Sequence, residues 1–195
     1  MSQGQKSELL TKGQMFNILF KICLGHQRAI TVPLRNHYGV LALGWPCVWA
    51  VMLILLWAAL SNDVAMFAWL AIWFVYFVMR RVEAVRLNLS GAKVHSQYDG
   101  YPTSIRYGRT EKMTKLILEP LLVGIFGGLL YVVYTQYLRA PPYGLPYFFM
   151  LGSASMLIVE LVKLQIWSKR KQDLLDTRLE QESIMEEYRQ KYGDT

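Results

Sequence analysis

The sequence predicts an all-α integral membrane protein with four transmembrane helices arranged as two hairpins. Of the 195 residues, 53% are hydrophobic, a content that favours a membrane protein over a soluble domain of this size. Four long stretches are apolar, and the Lys and Arg residues fall almost entirely in alternate connecting segments. The two cysteines, Cys23 and Cys47, support neither a disulfide framework nor a cysteine metal site.

The first hairpin is predicted over residues 38–79. Residues 38–62 carry no charge and are long enough for a crossing, which needs about 20 helical residues. Asp63 ends this run, and the 16 residues of the next run, 64–79, reach about 24 Å as a helix, which is short for a span. Because Pro46 interrupts the first run, a hairpin that enters and leaves the same leaflet is an open alternative.

The second hairpin is predicted over residues 116–167. Its first helix, 116–138, carries one charged residue, Glu119. Its second helix, 145–167, is uncharged as far as Val159. Two adjacent prolines in the short connection cannot continue a helix, so the two helices are expected to be antiparallel neighbours.

The distribution of Lys and Arg predicts the orientation. Three segments, 1–37, 80–115 and 168–195, hold all of the 21 basic residues except Arg139 and Lys163. The positive-inside rule therefore places both termini and the central loop in the cytoplasm, beneath a plasma membrane or a bacterial inner membrane. The same distribution accounts for the net charge of +7, so the lipid bilayer is predicted as a partner and nucleic acid is not.

The N-terminal segment, 1–37, is predicted to contain a short amphipathic helix over 14–24. Apolar residues recur there at helical spacing, but the stretch is too short to cross a membrane. The helix is expected to lie in the membrane interface or to pack against the spans. Residues 25–39, which include Pro33 and two glycines, are predicted to form a connector along the membrane surface.

The central segment, 80–115, is too short for a core of its own. Its first ten residues continue the helical pattern of the second span, and turn chemistry follows at Asp99 and Gly100. Because Tyr and Arg are favoured at protein interfaces, this loop is predicted to dock a partner. A loop that only covers the base of the helices is the alternative. The predicted partner-binding residues of the loop are Tyr98, Asp99, Tyr101, Arg106 and Arg109.

No enzyme, metal site or cofactor is predicted. His95, Ser96 and Asp99 lie close together in the sequence, whereas nucleophilic triads are assembled from distant positions. His95 and Asp99 supply two possible metal ligands, and a stable site usually needs about three or four. The chain also lacks a Walker loop, an HExxH sequence and a dinucleotide fingerprint.

Three charged residues fall inside the predicted spans, where charges are costly. Glu160 and Lys163 are one helical turn apart and are predicted to pair locally. Glu119 is predicted to find Lys163 or a backbone donor across a helix interface. An ion path lined by these charges is the alternative. Small residues predict close helix packing or self-association, at Gly124 and Gly128 in the third span and at Gly152 and Ser155 in the fourth.

The C-terminal segment, 168–195, has a helix-forming composition without an internal Gly or Pro as far as Tyr192, and is predicted to extend the fourth span. A basic cluster at its start suits anionic headgroups. Its apolar stripe is too interrupted for a long coiled coil, so a short helix that docks onto a soluble partner, or that bundles around an oligomer axis, is favoured. The predicted partner-binding residues of this segment are Leu175, Leu179 and Tyr188.

These features together predict a non-enzymatic membrane subunit or anchor. It is expected to form homo-oligomers and to dock soluble cytoplasmic proteins through the central loop and the C-terminal helix. The alternative is an oligomeric pore or ion channel gated from the cytoplasmic side. Stable association with soluble proteins favours the anchor, whereas a conductive homo-oligomer favours the pore.

Overall fold

In a computed structural model, which describes residues 3–91, 96, 98–108, 110–138 and 144–192, the chain is helical apart from two short strands and the loops. The helices are α1 (Gln3–Leu34), α2 (Trp45–Ser61), α3 (Val64–Leu89), α4 (Glu111–Tyr137) and α5 (Leu145–Tyr192). The strands are β1 (Arg35–Asn36) and β2 (Tyr101–Pro102). The chain divides into an N-terminal unit, Met1–Val159, and a C-terminal unit, Glu160–Thr195.

Three helices, α3, α4 and α5, are long and apolar enough to cross a membrane. The predicted extension of the second span is confirmed, because α3 has 26 residues and ends at Leu89. The predicted extension of the fourth span is also confirmed, since α5 continues without a break to Tyr192. Many large apolar side chains on α2, α3 and α4 are exposed, as expected for helices surrounded by lipid.

The helix predicted over 38–62 is wrong in its first part. α2 begins at Trp45 and has 17 residues, so it is shorter than the other three apolar helices. Pro46 lies in its first turn, where a missing N–H removes no helical hydrogen bond, so this proline starts the helix instead of breaking it. Tyr38 and Leu43, in the irregular segment before α2, are buried.

The connector predicted over 25–39 is also wrong in most of its length. α1 passes through Gly25 and Pro33 as one helix of 32 residues. Its last third is among the most buried parts of the molecule, with Ala29, Ile30 and Val32 fully inaccessible to solvent. These side chains form a core with α2 and α3, and the small residues on α2 allow α1 to approach closely.

A small antiparallel pairing supplements the all-helical fold. In it, Arg35 faces Pro102 and Asn36 faces Tyr101. The N–H of Gly39 donates to the Tyr98 carbonyl at 2.9 Å, which continues the contact between the two segments. The central loop is therefore fastened along the chain that links α1 to α2.

One end of the N-terminal unit is organised around Asp63, between α2 and α3. The Tyr134 hydroxyl and the Leu145 N–H both donate to Asp63 Oδ2 at 2.9 Å. The Trp57 indole N–H donates to the Gly144 carbonyl at 3.0 Å. The end of α2, the starts of α3 and α5 and the end of α4 therefore meet here, at what we call the Asp63 end.

The other end of the N-terminal unit is organised around Arg35. This residue follows α1 directly and contacts Glu119 of α4. The Arg81 guanidinium, near the end of α3, donates to the Val40 carbonyl at 2.6 Å. We call this region the Arg35 end. On α3, Arg81 lies 17 residues beyond Val64, or about 26 Å along the helix axis from the Asp63 end.

Candidate functional site

The candidate site is a buried charge cluster at the Arg35 end, and its central contact joins Arg35 to Glu119. The Arg35 Nε and Nη2 atoms donate to Glu119 Oε2 at 2.8 and 2.6 Å. The two side chains are 0% and 2% exposed. Removing both charges from water is costly, and the pair is stable because each charge has its partner at hydrogen-bonding distance.

A second ion pair lies beside the first. The Arg28 guanidinium donates to the Asp99 carboxylate, and the Arg28 side chain is almost fully buried. The Tyr38 ring lies 5.5 Å from the Arg28 guanidinium carbon, within range of a cation–π interaction. The Tyr38 hydroxyl donates to the Thr31 carbonyl at 2.8 Å. The two guanidinium groups and two carboxylates have a net charge of zero. The Arg28 pair joins the central loop to α1, and the Arg35 pair joins the end of α1 to α4.

Helical spacing places both arginines in this cluster. Arg28 and Arg35 are seven positions apart, which corresponds to about two turns, so they fall on the same side of α1 and its immediate continuation. From the sequence, both residues were expected in a surface segment, and neither was predicted as a site residue. The signal that identifies them is this spacing, together with the apolar residues between them.

Glycine at position 100 allows the loop to approach the cluster. Gly100 has φ +81°, in the left-handed region that side chains rarely adopt. A Cβ atom at this position would lie 2.9 Å from Tyr38 Cζ and 3.0 Å from Arg35 Cβ. The turn predicted at Asp99 and Gly100 is consistent with this conformation, and its close packing explains why a glycine is needed there.

Gly100→Ala is expected to lower the free energy of unfolding by about 2 kcal/mol, through backbone strain and overlap with Tyr38. Gly91→Ala is a matched control, because Gly91 has φ +72° but none of the described residues lies within 4 Å of its Cβ position. The control is expected to cost about 1 kcal/mol, from backbone strain alone. Thermal unfolding in detergent compares the two. Equal losses would contradict close packing at Gly100.

Tyr98 is held by a separate polar group next to the cluster. Its hydroxyl donates to Glu111 Oε1 at 2.6 Å, and Lys115 Nζ donates to the same oxygen at 2.6 Å. Lys115 Nζ also lies 4.6 Å from the centre of the Tyr98 ring. Burial, together with the hydrogen bond to Glu111, raises the pKa of Tyr98 above its usual value, so the hydroxyl stays a donor at neutral pH.

The structure separates the predicted partner-binding residues of the loop into two groups. Tyr98 and Asp99 are half-buried and bonded within the chain. Tyr101 and Arg106 are exposed. Tyr107, which sequence analysis did not select, is 84% exposed and extends the accessible surface of the loop. Two further residues considered from sequence, Arg109 and His95, lie outside the described residues.

The charges predicted within the spans have two different environments. Glu119 pairs with Arg35, so the predicted partners, Lys163 or a backbone donor, are wrong. The reason is that α1 continues to Leu34 and brings the guanidinium of the next residue, Arg35, to Glu119 of α4. The helix predicted in this part of the chain ended at residue 24. The local pair is confirmed, since Lys163 Nζ lies 3.3 Å from Glu160 Oε1.

Three of the four predicted packing residues contact neighbouring helices within the N-terminal unit. A Cβ atom at Gly124 would lie 3.1 Å from Ser153 Oγ, and one at Gly152 would overlap Ile30. The Ser155 hydroxyl lies 3.2 Å from His26 Nδ1. Gly128 differs, because within the part of the chain that the structure describes nothing lies within 4 Å of its Cβ position.

The chemistry of the cluster is ion pairing. Each carboxylate accepts from a guanidinium group, and these contacts connect segments that are far apart in sequence. No protein-family model, curated protein or solved structure matches the chain. The function is therefore inferred from these contacts and from the surfaces that the helices expose.

Proposed function

We propose that the chain is a non-enzymatic membrane subunit or anchor that self-associates and docks soluble cytoplasmic proteins. The observation that carries this proposal is the C-terminal part of α5, which continues well beyond its apolar stretch as an exposed helix. The described side chains from Gln165 to Glu186 are all exposed. A helix of this kind gains a buried apolar face when it binds a partner.

On the exposed part of α5, two leucines one helical turn apart form a small apolar patch, and acidic residues follow on the same side of the helix. At 100° per residue, Leu175 and Leu179 lie about 40° apart on one side, whereas Thr177 lies on the opposite side. Leu175 and Leu179 are 49% and 64% exposed, so both side chains are accessible to a partner. Tyr188, the third residue predicted to bind a partner, is also exposed, but it lies on the side of Thr177, about 16 Å farther along the helix.

Charge is distributed unevenly along the same helix and indicates the chemistry of the partner. The basic residues at its start, Lys169 to Lys171, suit anionic lipid headgroups. Between Asp173 and Glu187, six acidic residues outnumber a single basic one, Arg178. The proposed partner is therefore a soluble protein with an apolar groove and a basic rim. The exposed Tyr101 and Arg106 of the central loop provide a second proposed contact.

The proposed membrane arrangement uses α2 together with the three long apolar helices as two hairpins. α2 covers about 26 Å, close to the hydrocarbon thickness of a bilayer. The contacts of Asp63 with α4 and α5 support hairpin turns at a common level. We propose that the central loop and the C-terminal helix are cytoplasmic, because basic residues are concentrated there.

Self-association is proposed through α4 on the side of Gly128. The open space at this glycine leaves room for a second copy to approach the backbone closely. The other three small residues are already in contact within the chain. Crosslinking in membranes tests this proposal: Gly128→Leu should reduce the dimer band, whereas an unchanged band would contradict an interface at this position.

Leu175→Glu and Leu179→Glu are each expected to weaken docking at least about 10-fold, because a charge replaces an apolar contact in the interface. Thr177→Glu adds the same charge to the opposite side of the helix and should leave docking unchanged. The full-length variants are purified in mild detergent, and the copurifying proteins are quantified by mass spectrometry. A protein lost with both leucine variants and retained with Thr177→Glu fits the proposal. Equal recovery with all three variants would contradict it.

The pore alternative makes a different prediction in the same preparation. The Glu119 carboxylate accepts from the Arg35 guanidinium, and this pairing disfavours a role for Glu119 in an ion path. Reconstituted vesicles should therefore show no ion flux above that of protein-free vesicles. Flux that falls with Glu119→Gln would favour the pore and count against the anchor.

A further inference from the structure

We infer that α1 crosses the membrane as a fifth helix inside the N-terminal unit, so the N terminus and the central loop lie on opposite sides of the bilayer. The inference goes beyond the proposed function and depends on the membrane insertion stated there. It differs from the sequence-based expectation of a cytoplasmic N terminus. It is based on the contacts that residues 25–35 make with the other helices and with the central loop.

The Arg35 end fixes the C-terminal limit of α1. Arg35 follows the helix directly and bonds to Glu119, near the start of α4. The adjoining strand β1 pairs with β2 of the central loop. α1 therefore ends at the same level as the loop that the charge distribution assigns to the cytoplasm.

From this end, α1 runs back toward the Asp63 end in contact with three other helices. The Trp73 indole N–H of α3 donates to the Arg28 carbonyl at 3.1 Å. A Cβ atom at Gly25 would lie 2.8 Å from Trp49 Cβ of α2. His26 Nε2 lies 2.9 Å from the carbonyl oxygen of Phe148, three residues into α5. All three contacts involve residues 25–28, about one helical turn, and they lie between the Arg35 end and the Asp63 end.

The depth of α1 follows from helix geometry. Trp73 is nine residues beyond Val64, which places it about 13.5 Å from the Asp63 end. Since Arg28 contacts Trp73, about nine further residues of α1 reach the level of that end, at Leu19. As a straight helix, the segment 19–34 covers about 24 Å, which puts the N-terminal end of the inferred crossing at about Leu19.

The side chains of α1 change along this path as a crossing requires. Arg28 lies inside the unit with Asp99 as its partner, and His26 contacts Ser155 and Phe148. Polar groups at membrane depth are tolerated when they face the protein interior and are paired. Farther from the Arg35 end, exposed apolar side chains cover α1 on several sides. They are Met15, Phe16, Ile18 and Leu19.

This path changes the count of basic residues that assigned the N terminus to the cytoplasm. Three of the five bases in residues 1–37 are Lys21, Arg28 and Arg35, and the inferred crossing includes or adjoins all of them. Before the crossing, Lys6 and Lys12 remain. An excess of two bases is a weak topological signal, so the charge pattern does not oppose the inferred orientation.

Single-cysteine labelling of the full chain tests the inference. In a Cys23→Ala, Cys47→Ala background, one cysteine is introduced by Ser7→Cys, Asn62→Cys or Tyr107→Cys. Asn62 and Tyr107 are exposed and mark the Asp63 end and the central loop. A membrane-impermeant maleimide is added to intact cells and, in parallel, to permeabilised cells. We expect Ser7→Cys and Asn62→Cys to label in intact cells, and Tyr107→Cys to label at least about 10-fold more strongly after permeabilisation.

Two outcomes separate the inference from the proposed insertion. If Ser7→Cys labels strongly only after permeabilisation, as Tyr107→Cys does, while Asn62→Cys labels in intact cells, α1 does not cross. The proposed hairpins would be unaffected by that result. Identical labelling of Asn62→Cys and Tyr107→Cys would overturn both the inference and the proposed insertion. An epitope at the N terminus of the otherwise unchanged chain supplies a second measurement, and its protease sensitivity in intact cells is expected only if α1 crosses.

Discussion

Replacing Glu119 by Ala is expected to lower the free energy of unfolding by about 3–5 kcal/mol, the largest loss among the substitutions considered. The substitution leaves the Arg35 guanidinium buried without its carboxylate, and this side chain is 0% exposed. An uncompensated charge in a low-dielectric interior is far more costly than the loss of a surface ion pair. The measurement is thermal unfolding of the purified protein in detergent.

Two further variants make this experiment specific to the ion pair. Glu182→Ala removes a carboxylate from the exposed part of α5 and should change stability by less than about 0.5 kcal/mol. The double variant Arg35→Met, Glu119→Leu removes both charges and should recover much of the loss, because neither charge is then left unpaired. Equal stability of Glu119→Ala and Glu182→Ala would contradict a buried pair.

Gly25→Leu is expected to destabilise the protein by about 3 kcal/mol, because the added side chain has no room between α1 and α2. The Cβ position of Gly25 lies 2.8 Å from Trp49 Cβ and 3.1 Å from Leu53 Cδ1. Neither helix can move aside without opening the core around Ala50 and Ile54. The loss should appear as a lower unfolding temperature and a lower yield of folded protein.

Gly128→Leu is the matched control for Gly25→Leu. Both glycines are in helices and receive the same side chain, but no atom of the described residues lies within 4 Å of the Gly128 Cβ position. In the monomer, this control is expected to change stability by less than about 1 kcal/mol. If the two variants lose equal stability, the close approach of α1 and α2 at Gly25 is incorrect.

Consecutive residues were enough to predict several elements. The apolar runs that became α3 and α4 have a composition that indicates burial in lipid whatever their neighbours are. The turn at Asp63 and the unbroken helix from Leu145 to Tyr192 follow equally from local composition and capping. The exposed Leu175 and Leu179 could likewise be selected from their spacing alone.

The interior of the N-terminal unit could not be predicted in the same way. Arg28 and Asp99 are 71 positions apart, and Arg35 and Glu119 are 84 positions apart. A charge count treats Arg28 and Arg35 as solvated bases, because their carboxylate partners come from distant segments. Tyr98 and Asp99 were predicted to bind a partner, but their side chains bond within the chain. Residue type alone does not distinguish these two roles.

The buried position of α1 was the feature of the fold least predictable from the sequence. Hydropathy measures how well a segment suits contact with lipid, and it identified the helices that present apolar side chains outward. α1 is instead surrounded over its last third by other helices and the central loop, which supply partners for His26, Arg28 and the adjoining Arg35. Its polarity suggested a surface connector, but tertiary packing made it the centre of the unit. Which charges are buried depends on what surrounds them, and that is a property of the assembled helices.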